Sequence, residues 1–395
     1  MNEIQAIAAA YGDAQLRGES CALATIVRVQ GSSYRKPGAR MLILGDGRII
    51  GSVSGGCLES DVVERAQSGM RAGRPILATY DTTGDDDIFF GMGMGCRGIV
   101  DVLIEPLLGS AAEALSVIAG SQIQGDRVAM ATVYRASDNC VFAAGDHIIL
   151  DEENGMLSRC ERDSDMSGRV LAALVGALSA RQSSFEHIDA DEGSIDVFLE
   201  VLEPPVPLVI FGAGNDAQPL ARMAKAAGWR VSVVDGRPAY ATVDRFREAD
   251  EVILSGIEDL TRNVKIEDRT AVVVMTHNYL RDAALLETLL AGPARYIGIL
   301  GSRLRTETLL QDLASRGLYD PILHAGRIYG PVGLDIGADT PEMIAVAIIA
   351  EIQTAFTGRT GGRLRDYKSK AGNSPQAVLE KRDSVRTPFN CALSA

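Results

Sequence analysis

The sequence predicts an α/β protein in two parts: an N-terminal α+β domain with cysteine-containing glycine loops, and a C-terminal Rossmann-like doubly wound parallel sheet. Three observations carry this. From Leu208 to Glu351, short apolar runs (LVIFG, RVSVVD, AVVVMTHN, YIGILG) alternate with helical segments, the pattern of strands buried on both faces. Pro204, Pro205 and Pro207 interrupt the chain just before that alternation begins, and proline ends regular elements. Glycine supplies 41 of the 395 residues, about a tenth against a usual share of roughly 7%, so the surplus belongs in loops that need unusual backbone angles or close approach. The expected division is 1–203, with a motif core at 1–108, then 208–357, then a polar tail at 358–395 that is expected to be mobile.

Each element has a local cause. MNEIQAIAAAYGDAQ reads as an amphipathic helix, and the β-branched run CALATIVRVQ after it as a strand that ends at the breaker cluster GSSYRKPGA. ARMLILGDGRIIGSV is a hairpin turning at Gly45-Asp46-Gly47. LESDVVERAQSGMRAG is helical, with acids in the first turn that suit the helix dipole. PILATYD and IVDVLIEP are strands on either side of the second glycine loop, GMGMGCRG at 91–98. Residues 110–203 mix helices (AAEALSVIAG, SGRVLAALVGALSA) with strands (RVAMATVYR, SIDVFLEVLE) and hold no motif that carries chemistry. In the second half AQPLARMAKAAG, DAALLETLLAG and TETLLQDLASRG are helices, and PEMIAVAIIAEIQTAF starts with proline in its first turn behind Thr340 as cap.

Charge and cysteine usage remove several function classes. With 52 acidic against 39 basic residues, the net charge of −13 repels phosphate backbones, so no nucleic-acid partner is expected. The strongest apolar run, MIAVAIIA at 343–350, is too short to span a bilayer, and the N-terminus lacks the basic and apolar regions of a secretory signal; a cytoplasmic location is expected. Six cysteines, none in a C-x-x-C pair, make neither a disulfide scaffold nor a zinc ribbon.

In LVIFGAGNDAQPLA, Gly212, Gly214 and Ala217 stand as G-x-G-x-x-A between a strand and a helix. The first allows the tight turn, the second lets backbone approach a pyrophosphate, and the third lets helix and strand pack closely. Asp235 ends the next strand, where a carboxylate can bond a ribose hydroxyl and resists a 2′-phosphate. The arrangement allows NAD(P) in this domain, or the fold kept without a cofactor. His277 and the trio Gly301, Ser302 and Arg303 follow strands and reach the same rim; a structural histidine and a surface ion pair remain the simpler accounts of His277 and Arg303.

Two thiols stand apart from Cys21, Cys140, Cys160 and Cys391, which read as small buried hydrophobes. Cys57 follows Gly55 and Gly56 and precedes a helix, whose dipole and open N–H groups favour thiolate. Cys96 lies between Gly95 and Arg97, a second setting of positive charge and open donors. Such thiolates suit a soft metal centre or sulfur exchange, whereas two separated cysteines do not complete a zinc site; a nucleophilic hydrolase stays open but without a nearby histidine.

These segments in series (GSSYRKPGARMLI, GSVSGGCLE, GMGCRG before a strand ending IEP, VIFGAGNDAQ, YIGILGSR, GPVGLDIGADTPEMIAVAIIAEI) cover roughly residues 5–355. They resemble the XdhC/CoxI family, maturation factors of molybdenum hydroxylases such as xanthine dehydrogenase. The resemblance implies a cofactor chaperone that binds the molybdenum cofactor (molybdopterin) as cargo, supports its sulfuration with a cysteine desulfurase, and inserts it into the hydroxylase. It further implies that Cys57 and Cys96 contact the cofactor or its molybdenum, with Gly55, Gly56, Gly95 and Arg97 holding its phosphate. A homodimer would suit the two domain types. The chain departs from the family pattern at Arg97, Tyr34 and Asn215, and THNYLRD lacks a second histidine. Two rival readings remain: an NAD(P)-dependent oxidoreductase built on Gly212, Gly214 and Asp235, and a cofactor-free scaffold docking the desulfurase to the hydroxylase.

Overall fold

A computed structural model describes residues 3–83, 98–152, 155–158, 164–256, 259, 263–324 and 326–366. The chain begins α1 (Glu3–Leu16), β1 (Cys21–Gly31), β2 (Arg40–Leu44), β3 (Ile49–Gly51), α2 (Glu59–Ala72), β4 (Ile76–Asp81), β5 (Gly98–Pro106). It then runs through α3 (Ser110–Gln124), β6 (Val128–Ala136), β7 (His147–Asp151), β8 (Gly155–Ser158), α4 (Asp165–Ala180), β9 (Ser184–Ala190) and β10 (Gly193–Leu202). The two series repeat one plan. Each builds an antiparallel five-stranded sheet, ordered β3-β2-β1-β5-β4 in the first and β8-β7-β6-β10-β9 in the second. The segment 110–203, which showed no motif, is therefore a second copy of the first unit's topology.

The likeness extends to single residues. Both central strands carry a β-bulge at the same point: the β1–β5 register skips Val27 between the pairs Ile26/Val102 and Arg28/Asp101, and the β6–β10 register skips Tyr134 between Val133/Val197 and Arg135/Asp196. Bulged Val27 and Tyr134 meet Leu103 and Phe198 in one buried cluster that joins the sheets. Thr25 stands opposite Arg40 as Thr132 stands opposite His147.

The alternation of β1 explains the layering. Ala22, Ala24 and Ile26 face one core with Leu58, Val62 and Ala66 around α2, while Ala129, Ala131 and Val133 do the same under Val170 and Leu174 of α4. The other faces turn toward each other and carry charge. The Arg40 guanidinium, 2% exposed, makes a two-pronged pair with Glu200 of the second sheet. The equivalent His147 reaches back, Nε2 2.9 Å from Glu105 Oε1 in the first sheet. Asp101 is shared by Arg28 (3.5 Å) and Arg135 (3.3 Å). Burial works against charge on Arg40, but the adjoining Glu200 carboxylate outweighs it and holds the pKa above its ordinary value.

The second half is the expected parallel sheet. Its elements are β11 (Pro207–Phe211), α5 (Ala217–Ala226), β12 (Arg230–Asp235), β13 (Glu251–Leu254), β14 (Ala271–Val274), α6 (Tyr279–Ala291), β15 (Tyr296–Ile299), α7 (Arg303–Ser315), β16 (Ile328–Tyr329) and α8 (Pro341–Thr357). Strand order is β13-β12-β11-β14-β15-β16, every pair parallel. Winding reverses between β11 and β14, and that reversal opens a crevice at the carboxyl ends of the strands. α5 and α8 cover one face through Leu220, Ala221, Ile348 and Ile352; α6 and α7 cover the other through Leu286, Leu289, Leu309 and Leu313. Thr340 caps α8 by accepting from the Met343 amide at 3.3 Å, with Pro341 in the first turn as expected. At the proline boundary, Arg269 donates to Gly125 and Pro204 carbonyls, tying this half to the second repeat. Among the described residues no helix is long and apolar enough to cross a membrane.

Removing one member of the crossing pair strands a buried charge, so Arg40→Met is expected to cost about 3–5 kcal/mol, whereas Arg40→Met with Glu200→Met recovers most of it. Urea denaturation of the two variants checks this; equal losses in the single and double variants would show that the cost does not come from a stranded Glu200 charge.

Candidate functional site

The loops holding the two singled-out thiols leave the same end of the first sheet. β1 ends there at Gly31, β3 at Gly51 and β4 at Asp81, while β5 begins there at Gly98. Thr82 closes the base of the second glycine loop: its amide donates to the Gly98 carbonyl at 2.9 Å, and its hydroxyl accepts from the Gly98 amide at 3.1 Å. A side chain at Gly98 would overlap the carbonyl oxygens of Gln30 and Ser32, so only glycine lets β5 start this close to β1. Gly95, Cys96 and Arg97 lie outside the described residues.

Cys57 is described, and it is exposed. The loop behind it is built around Ser54. Its hydroxyl accepts from the amides of Gly56 (3.2 Å), Cys57 (3.0 Å) and Leu58 (3.1 Å), and donates to Glu59. The Glu59 carboxylate also accepts from the Ser54 amide at 2.9 Å and the Leu58 amide at 3.2 Å. The N–H groups expected to stay open for a thiolate are thus directed at Ser54, and a carboxylate occupies the start of α2. The physical reason is that amides at a helix start lack an intrahelical acceptor and take the nearest side chain that offers one, here the serine three residues before Cys57. Burial pushes Glu59 up, but hydrogen bonds from the Ser54 side chain and from backbone amides outweigh it and hold the carboxyl below its usual range. Gly55 lies against the ring of Tyr34, an exposed residue of the loop after β1. The result is a fixed loop that presents one thiol to solvent.

The crevice of the parallel sheet collects the other expected residues. Gly212 has φ 115°, and a Cβ there would overlap the Met275 carbonyl, so the turn after β11 requires glycine. Ala217 starts α5 and is fully buried against the sheet, the close packing expected of a small third residue. His277 has a left-handed φ of 59°, and its Nε2 lies 3.3 Å from Asp216 Oδ2, beside Gly214. Ser302 caps α7 by accepting from the Arg305 amide at 3.3 Å. Arg303 is exposed; the arginine drawn inward is Arg305, which pairs with buried Asp282 at 2.6 Å.

Asp235 differs from its expected role. Oδ2 accepts from the Ala213 amide (2.8 Å) and Arg237 Nη2 (2.6 Å), while Oδ1 accepts from the Arg237 amide and Nε, both at 2.9 Å. Four donors fill a carboxylate's lone-pair sites, leaving nothing for a ribose hydroxyl. Burial raises the pKa of Asp235, yet Arg237 and the two amides prevail and keep it low. Arg237, Tyr240 and Arg245 are the residues that strand-end reasoning passed over. The signal was present as two arginines and a tyrosine within ten residues of the strand. Among the described residues no group of three His, Cys, Asp or Glu is placed to hold a metal ion.

Comparison with known proteins places the chain. Residues 14–81 match the XdhC and CoxI family, and residues 208–352 match the XdhC Rossmann domain. It is 35% identical over 334 residues to a probable xanthine dehydrogenase subunit from Bacillus subtilis, covering 85% of this chain and 92% of that protein. The chain belongs to the XdhC and CoxI family. It is also 24% identical over 344 residues to the molybdenum cofactor insertion chaperone PaoD of Escherichia coli, covering 86% of this chain and 85% of PaoD. A crystal structure described as a xanthine dehydrogenase from Bacillus halodurans superposes with a TM-score of 0.72 at 30% identity, covering 91% of this chain and 97% of that one. The XdhC and CoxI match ends at Asp81 and includes Ser54, Cys57 and Glu59, while the XdhC Rossmann match runs from β11 into α8.

Because the folded-state pKa of Glu59 lies below its unfolded value of about 4.3, its ionisation stabilises the fold above that value, and the contribution is lost as pH falls through the depressed pKa. Glu59→Gln is therefore expected to lower Tm at pH 7, with the gap to the parent narrowing in acid. Thermal melts across that range check it, and a pH-independent gap would contradict it.

Proposed function

We propose that this chain is a molybdenum-cofactor insertion chaperone, carrying the cofactor as cargo and handing it to a xanthine dehydrogenase-type hydroxylase. The observation that carries this reading is the exposed Cys57 on a loop held rigid by Ser54 and Glu59, in a chain similar to PaoD over most of both lengths. A cargo carrier has to hold its load and release it intact. One thiol at a strand end supplies a soft contact without the closed ligand set that would trap a metal.

In this reading Cys57 meets the sulfur- and metal-bearing end of the cofactor, with Cys96 and Arg97 as its further contacts. Sulfuration is the work of a cysteine desulfurase docked at that end, and a homodimer is the working assembly. The chain acts by binding and positioning, so turnover belongs to the client. The NAD(P)-dependent oxidoreductase reading receives less support in its NAD form, because the carboxylate that would orient a free ribose 2′-hydroxyl is consumed by Ala213 and Arg237.

The test is cofactor analysis of protein purified from molybdate-fed cells that co-express a client hydroxylase. Cys57→Ala, an exposed substitution that leaves the fold intact, is expected to lower bound molybdopterin about tenfold or more and to slow client activation in proportion. Equal cofactor content in parent and variant would overturn the role of Cys57. Stable complexes with desulfurase and client that hold no cofactor would favour the scaffold reading instead.

A further inference from the structure

The crevice at the end of β12 holds an arrangement the cargo reading does not use. Arg237 Nε and Nη2 grip Asp235, which leaves Nη1 without a partner among the described residues. The guanidinium lies 3.9 Å from the centre of the Tyr240 ring, and that of Arg245 lies 5.2 Å from the same ring. Arg245 Nη2 donates to the Ala213 carbonyl at 3.2 Å and to Asn215 Oδ1 at 3.1 Å, which joins it to the glycine turn. Its Nε is buried and finds no hydrogen-bond partner among the described residues. Two arginines, one with an unsatisfied buried donor, thus converge on one aromatic ring beside a Gly-x-Gly turn.

Position gives this cluster a meaning. In a dinucleotide-binding sheet the end of the second strand faces the adenosine ribose; an acceptor carboxylate there selects a free 2′-hydroxyl, and an arginine accommodates a 2′-phosphate. Here the carboxylate is neutralised and filled, and what faces outward is guanidinium. Planar arginine donors match phosphate oxygens, and a ring beneath them keeps the forks in place. On a chain of net charge −13 a paired arginine site is a local exception, so its selectivity for an anion comes from these residues rather than from the general field.

We propose that the crevice binds an adenine nucleotide bearing a phosphomonoester on its ribose 2′ position, with Arg237 and Arg245 taking that phosphate and Gly212 to Gly214 facing the diphosphate. The site discriminates against the unphosphorylated nucleotide because Asp235 has no acceptor to offer a 2′-hydroxyl. This inference stands apart from the cargo reading and requires nothing of Cys57.

Calorimetry on the full chain at fixed ionic strength tests it with 2′,5′-ADP and 5′-AMP, which differ only in the 2′-phosphate. The former is expected to bind about 10–100-fold more tightly, the range of one or two charge-assisted hydrogen bonds. Arg245→Ala is expected to remove most of that preference. Arg237→Lys keeps the charge but loses the fork, and is expected to reduce the preference while circular dichroism stays unchanged. Equal affinity for the two nucleotides overturns the proposal, as does a preference that survives both substitutions. Inorganic phosphate binding as tightly as 2′,5′-ADP would reduce the cluster to a plain anion patch and also overturn it. Molybdopterin carries a phosphomonoester too: if it, and not the nucleotide, binds in an Arg245-dependent way, the nucleotide assignment fails whatever the fate of the Cys57 experiment.

Discussion

The N-terminal half depends on one buried contact, the Arg40–Glu200 pair that crosses between its two sheets. A guanidinium taken out of water needs its partner in place, so the sheets must meet face to face in a single alignment. The mirrored contact between His147 and Glu105, and the sharing of Asp101 by Arg28 and Arg135, fix the same alignment from the related positions. Apolar faces alone would tolerate sliding. Charges that must find each other do not, and the bulges that push Val27 and Tyr134 into one cluster lock the fit.

The duplication makes an asymmetry visible. Both units keep the central strands, the bulge and the crossing charges, but only the first carries the loop 82–97 between its last two strands; the second joins β9 to β10 across residues 191 and 192. The scaffold is shared, and the glycine-rich segment that carries Cys96 belongs to one copy. Framework positions answer to packing, and packing is the same in both units. Loops at a sheet end answer to nothing in the core and are free to take on chemistry. The parallel sheet shows a similar division: α5 and α8 pack on the face opposite α6 and α7, and the segment after β12 carries the two arginines around Tyr240.

Much of this was legible beforehand, and for definite reasons. Continuous apolar strands, the Gly212-x-Gly214-x-x-Ala217 turn and the Thr340-Pro341 helix start are local signals, and each appears where it was expected. Cys57 was singled out because two glycines precede it. The duplicate was not legible, because it is written in register and burial rather than in residue identity: Arg40 corresponds to His147, and Val27 to Tyr134. Asp235 misled because strand-end carboxylates are recognised by position, while the donors that fill this one, Ala213 and Arg237, become its neighbours only when β11 and β12 pair.

The sequence alone determined the alternation of strands and helices in the second half, the glycine turn after β11 and which thiols stand in glycine loops, since these follow from periodicity, caps and turn chemistry over a few residues. Tertiary structure decided who pairs with whom: that Arg40 meets Glu200, that Ser54 takes the amides beside Cys57, and that Asp235 is spent on Arg237. Hydrogen bonds and ion pairs are short-ranged and saturable, so a group's availability for a ligand depends on neighbours that only folding brings to it, however far apart they stand in the chain.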